Sequence, residues 1–168
     1  NQHPRIMVVG DLMIDHYLWG HCNRISPEAP VQVVAVNEES SVLGGAGNVV
    51  NNLKQLGAIV DVLSVVGQDE QAQELTQMLA QTGIAKTLLI QQTGRTTSKK
   101  SRVIAAHQQV LRFDKESTTE ISSEAQLELL AEFKARLAAW PSEKIAAMVA
   151  VGRSFVTRED RIEWLEEI

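Results

Sequence analysis

Gly44-Gly45-Ala46-Gly47-Asn48 is the stretch on which the reading of this chain turns. Three glycines in four positions lead into Val49, Val50, Leu53 and Leu56, which recur at helical spacing and predict a helix over residues 48–56. Gly57 is its expected terminator. Glycines at a helix entrance let the backbone approach a ligand, and the first helical turn offers free N–H donors. Asn48 could cap that helix or hold a sugar hydroxyl through its amide. A purely structural glycine turn accounts for the same letters. The spacing is not that of a dinucleotide-binding Gly-x-Gly-x-x-Gly, and no Gly-Lys-Ser/Thr follows to make a P-loop.

Working outward, residues 5–9 read as a short buried strand ended by Gly10, and residues 31–36 as a second strand after the turn-rich Ser26-Pro27-Glu28-Ala29-Pro30. Residues 60–66 form a further strand, Gln68-Asp69 opens a helix with Ala72, Leu75 and Leu79 on one face, and Gly83 closes it. Strands follow at 86–90 and 101–106, with 109–113 continuing the latter after a bend. Ser123 with Gln126 forms a capping box for a helix reaching Ala139. A strand at 145–151 and a helix capped by Thr157 and Asp160 end the chain. Alternating strands and helices predict an α/β fold with a parallel central sheet. Residues 31–36 and 101–113 sit between the sheet-forming units, as a small separate sheet would.

Gly10-Asp11-Leu12-Met13-Ile14-Asp15 places two carboxylates just past the first strand, where ligands of α/β sheets sit. A carboxylate there can accept hydrogen bonds from two vicinal sugar hydroxyls; capping a loop or pairing with an arginine is the plainer role. Asp15 is the better functional candidate and Asp11 the better structural one. His3, His16, His21, His107 and the lone Cys22 lack metal-ligand spacing.

At 168 residues the chain is expected to be a single domain, and 44% hydrophobic with 22% charged residues excludes a disordered or fibrous class. No apolar run approaches the roughly 20 residues that span a bilayer, and a single cysteine suits a reducing cytoplasm. The net charge of -5 argues against nucleic acid as a partner. Between Leu75 and Phe113 there is no acidic residue, yet Lys86, Arg95, Lys99, Lys100, Arg102 and Arg112 all fall there. Such a segment in an acidic protein suggests an anionic ligand such as a phosphorylated metabolite, or else a solvated face balanced by acids elsewhere.

Together these pieces resemble the ribokinase-type, or phosphofructokinase-B, carbohydrate kinases. The family's strand-Gly-x-x-x-x-Asp opening is matched by Gly10 to Asp15. Its first signature is matched by Gly44, Gly45, Asn48, Gly57 and Gly67, with Val50 at a position where Ser, Thr or Ala is preferred. Two further runs are similar to the heptose-7-phosphate kinases in particular. They are Arg24-Ile25-Ser26-Pro27-Glu28-Ala29-Pro30-Val31 and Thr97-Ser98-Lys99-Lys100-Ser101-Arg102-Val103-Ile104-Ala105, the latter followed by Gln108-Gln109-Val110-Leu111-Arg112-Phe113-Asp114.

The resemblance implies a ribokinase-like three-layer sandwich, present as its N-terminal half in one partial domain over 1–168, with lid segments at about 17–36 and 98–113. It implies phosphoryl transfer from Mg·ATP to the anomeric hydroxyl of a heptose 7-phosphate. Asp15 and Asn48, with the backbone at Gly44 and Gly45, would hold the sugar. Lys100 and Arg102 are candidates for its phosphate by charge and position, since arginine offers a bidentate fork. A sugar kinase acting on ribose, fructose or 2-keto-3-deoxygluconate, or a non-catalytic sugar-phosphate-binding or dimerisation module, are the neighbouring alternatives. The family's Gly-Ala-Gly-Asp motif, which carries the catalytic base, does not occur in these 168 residues. No catalytic residue is therefore assigned, and the chain alone is expected to be a fragment without turnover. Lid strands with exposed edges predict a homodimer.

Overall fold

A computed structural model describes residues 3–84, 86–139 and 145–151. The first strand, β1 (Arg5–Gly10), is apolar at consecutive positions from Ile6 to Val9, as a strand covered on both faces must be. It lies between β4 (Ile59–Val66) and β8 (Ile145–Val151), with β5 (Lys86–Gln91) outside β4, in the order β5-β4-β1-β8. All three pairings are parallel.

Two cores lie on opposite faces of this sheet. On one, Ile6, Val8, Val60 and Val62 pack with Val50 of α1 (Ala46–Gln55) and with Leu75 and Leu79 of α2 (Glu70–Gln81). On the other, Met7, Val9, Leu63 and Val65 meet Ala125, Leu129 and Phe133 of α3 (Ser123–Ala138). Helix, sheet and helix thus make three layers. Each fully buried Leu or Phe contributes roughly 1.5–3 kcal/mol of transfer free energy. Asp61 intrudes on the apolar sheet, fully buried, and is held by Arg5 Nη2 at 2.9 Å. Among the described residues no helix is long and apolar enough to cross a membrane.

A second sheet runs in the order β3-β2-β6-β7, and here the structure departs from the sequence-based expectation. Only Asp11 separates β1 from β2 (Leu12–Ile25), so Asp15 lies within a strand, not in a loop. β3 (Gln32–Gly45) continues through Asn37-Glu38-Glu39 as far as the glycines, so Gly44 and Gly45 end a strand. The helix after them begins at Ala46, two residues before Asn48. β6 (Ser98–Ala105) pairs parallel with β2, and β7 (Gln108–Lys115) returns antiparallel to β6. Residues 109–113 are therefore a partner strand, not a continuation. The reversal is made by Ala106 and His107, both at positive φ (49° and 65°), the geometry of a two-residue hairpin turn. The cap of α3 also moves by one residue: Ser122 Oγ accepts from Ala125 N at 3.2 Å, while Gln126 Nε2 donates to the Ile121 carbonyl. The helix expected after Thr157 lies outside the described residues.

The two sheets are joined around Asp69. As the N-cap of α2 it accepts from Ala72 N through Oδ1 at 3.0 Å, and through Oδ2 from Thr97 N, one residue before β6, at 2.9 Å. Burial alone would raise its pKa; the Thr97 and Ala72 hydrogen bonds and the charge of Lys115 outweigh it and lower the pKa. A carboxylate held below its unfolded value stabilises the fold above that value, about pH 4, and the gain disappears as pH falls through the folded pKa. Asp69→Asn is expected to reduce stability at neutral pH by about 1 kcal/mol and to flatten the loss below pH 4. Urea unfolding at pH 7 and pH 3 checks this; equal destabilisation at both pH values would remove Asp69 from the acid response.

A carboxylate and three cations on one sheet face

The residues of β2 alternate. Leu12, Ile14 and His16 point into the protein and are buried, while Met13, Asp15, Tyr17 and Trp19 occupy the opposite face. Asp15 is in register with Val42 of β3 and Lys100 of β6, and Met13 with Gly44. The Asp15 carboxylate lies directly against Gly44, so that a methyl group on Gly44 would overlap Asp15 Oδ2. Gly45, the N-cap of α1, has φ 56°, and a methyl group there would stand 2.6 Å from the Asp11 carbonyl. That carbonyl accepts from Ala46 N at 2.9 Å. Glycine is required at 45 for backbone conformation and at 44 for close approach of a carboxylate. Asn48 sits exposed in the first turn of α1, where no side chain caps the helix.

Three cations share the Asp15 face. Arg102 Nη1 donates to Asp15 Oδ1 at 2.6 Å, and its guanidinium lies 5.4 Å from the Tyr17 ring centroid, within cation–π range. Tyr17 in turn stacks on Trp19. Lys100 Nζ is pinned by two carboxylates, Glu116 at 2.8 Å and Asp114 at 3.2 Å. Burial acts to lower the Lys100 pKa, but these two partners raise it on balance. Arg112, in register opposite Arg102, grips Asp114 with Nε and Nη2 at 2.9 and 2.7 Å. The Arg112 hydrogen bonds, with help from Lys100, bring the Asp114 pKa down to about 2 against some desolvation. The face therefore carries fixed charge of both signs at neutral pH.

The structure brings Asp15, Gly44, Gly45 and Arg102 into one place and ties Lys100 to acids on its own sheet. Sequence reading missed the inclusion of Arg112 and Asp114 on this face; the alternation of β7 would have placed them, had 108–115 been recognised as a returning strand. Among the described residues no three carboxylate, histidine or cysteine side chains converge as a metal site would need.

The sequence profile of the pfkB family carbohydrate kinases matches residues 3–160. The chain belongs to that family. Its relatives include the Bifunctional protein HldE of Aliarcobacter butzleri, 55% identical over 139 residues, which are 83% of this chain and 29% of the relative. That of Sulfurimonas denitrificans is 62% identical over 119 residues, 71% of this chain and 25% of the relative. The chain thus spans about a quarter of the length of the curated relatives it matches. Among solved structures, phosphofructokinase-2 from Escherichia coli in complex with fructose-6-phosphate superposes with TM-score 0.67. It is 14% identical and covers 99% of this chain and 51% of that one. Ribokinase from Giardia lamblia superposes with TM-score 0.52 at 16% identity, covering 77% and 41%. The chain therefore has a partial ribokinase-like fold.

Proposed function

We propose that this chain is the sugar-binding part of a carbohydrate kinase whose substrate is D-glycero-D-manno-heptose 7-phosphate, phosphorylated at the anomeric hydroxyl with Mg·ATP in the cytoplasm. The observation that carries the reading is the Asp15 carboxylate lying on Gly44 beside Arg102. Asp15 accepts the sugar hydroxyls, the backbone at Gly44 and Gly45 lines the floor, and Asn48 reaches the sugar from the first turn of α1. The cationic strands supply the phosphate end. Charge-assisted bonds to a phosphate are the strong ones, which makes the phosphate the main source of affinity. The high identity to the HldE proteins favours a heptose over other sugars. Calorimetric titration of the chain with heptose 7-phosphate, ribose, fructose and 2-keto-3-deoxygluconate tests the assignment; preference for an unphosphorylated sugar overturns it.

The same reading makes the second sheet a lid and a homodimer surface. Its outer strands are β3 and β7, and both carry exposed large apolar side chains: Val36 and Val42 on one, Leu111 and Phe113 on the other. Unpaired edges next to exposed apolar residues are commonly covered by a partner. Light scattering is expected to return twice the chain mass, and Phe113→Lys to shift it towards the monomer. A monomer at high concentration would sink this contact.

A further inference from the structure

Asp15 is the carboxylate that the proposed function gives to the sugar, yet its Oδ1 is already taken by the Arg102 guanidinium at 2.6 Å. Both side chains are only one-fifth exposed, so the pair is partly shielded from water. Asp15 Oδ2 is packed against Gly44, so a neutral sugar that seeks both Asp15 oxygens competes with the guanidinium for Oδ1 and, on displacing it, leaves it over the Tyr17 ring with no anion in exchange. Arg112 stands in register opposite Arg102 across the β6–β7 pairing. Like charges directly opposite on one sheet face repel. Here Asp15 holds one guanidinium and Asp114 the other. An arriving dianion would relieve that repulsion and release Asp15 at the same moment.

We propose that the Asp15–Arg102 ion pair is a latch opened only by a phosphorylated sugar: the phosphate takes Arg102 together with Arg112, and the freed Asp15 carboxylate accepts the sugar hydroxyls. The inference rests on the sugar site given under the proposed function and adds the origin of its specificity. No covalent bond changes; one ion pair is exchanged for another. The free sugar is rejected twice, because it lacks the phosphate contact and because it meets an occupied carboxylate.

The test compares heptose 7-phosphate with unphosphorylated heptose by calorimetry, on the wild-type chain and on Arg102→Ala and Arg112→Ala. Opening the latch by Arg102→Ala is expected to tighten free heptose by about threefold, the worth of a partly exposed ion pair. The preference for the phosphorylated sugar should fall by about tenfold or more. Arg112→Ala should weaken heptose 7-phosphate and leave free heptose unchanged. Arg102→Gln, which keeps a long uncharged side chain, guards against a folding defect and should behave as the alanine variant does. If free heptose binds no tighter to either Arg102 variant, the latch is wrong, while a wild-type chain that still prefers heptose 7-phosphate keeps the functional reading. A wild-type chain that binds neither sugar overturns both.

Discussion

Replacing Gly67 by alanine is expected to cost about 3 kcal/mol, the upper range for forcing an extra methyl group into a packed site. The position follows β4 and has no room for a side chain: an added Cβ would overlap the Arg95 carbonyl, a backbone atom that cannot swing aside. Moving the backbone would disturb the Gly67 N–H bond to Thr97 Oγ1 (2.9 Å), then the Thr97 N–H bond to Asp69 Oδ2 (2.9 Å), and with it the cap of α2. One methyl group thus acts on the joint between the two sheets. Gly44→Ala makes the useful contrast, since its nearest neighbours are side-chain atoms of Asp15 and Met13, which can rotate. Urea unfolding should show a large drop in midpoint for Gly67→Ala and a smaller one for Gly44→Ala. A Gly67→Ala chain within 0.5 kcal/mol of wild type, the spread of ordinary surface substitutions, would show that the joint is looser than its hydrogen bonds suggest.

The second large effect is on binding. Asp15→Asn should weaken heptose 7-phosphate by about tenfold or more, with little change in stability. Asparagine keeps the shape of the side chain against Gly44 but removes the charge. Two charge-assisted hydrogen bonds to vicinal hydroxyls, roughly 1.5–3 kcal/mol each, are weakened. Against this, the sugar no longer has to break the contact with Arg102. Weakening both bonds outweighs the roughly threefold gain from the spared ion pair, and the net loss stays at about tenfold or more. Calorimetry with the folded variant decides it. Unchanged affinity would mean that Asp15 only anchors Arg102 and that the sugar lies elsewhere.

The parts of this molecule legible in its letters are those where a single local rule acts. The apolar runs at 5–9 and 60–66 announced strands, and the structure covers both on two faces. The spacing of Ala72, Leu75 and Leu79 announced the buried face of α2 and Gln68-Asp69 its start, where the structure makes Asp69 the cap. Gly44 and Gly45 marked a close approach, and the structure sets the Asp15 carboxylate against Gly44 and the Asp11 carbonyl against Gly45.

What stayed illegible depends on partners distant in sequence. β2 was hidden because both of its faces carry apolar residues, Leu12, Ile14 and Leu18 on one and Met13, Tyr17 and Trp19 on the other, so no alternation stood out. β3 was cut short because the apolar run stops at Val36, and the pairing of Glu38 and Glu39 with β2 beyond a bulge is not written in the letters. The β6–β7 turn sets Ala106-His107 at the positive φ that Asn-Gly ordinarily supplies, so the letters carried no turn signal. The contact of Arg102 with Asp15 joins residues 87 apart. It exists because β6 docks parallel to β2 with Asp15 beside Lys100 and Tyr17 beside Arg102. A slip of that register by one residue would turn Arg102 to the buried face and leave the carboxylate without its cation, because successive side chains of a strand point to opposite sides.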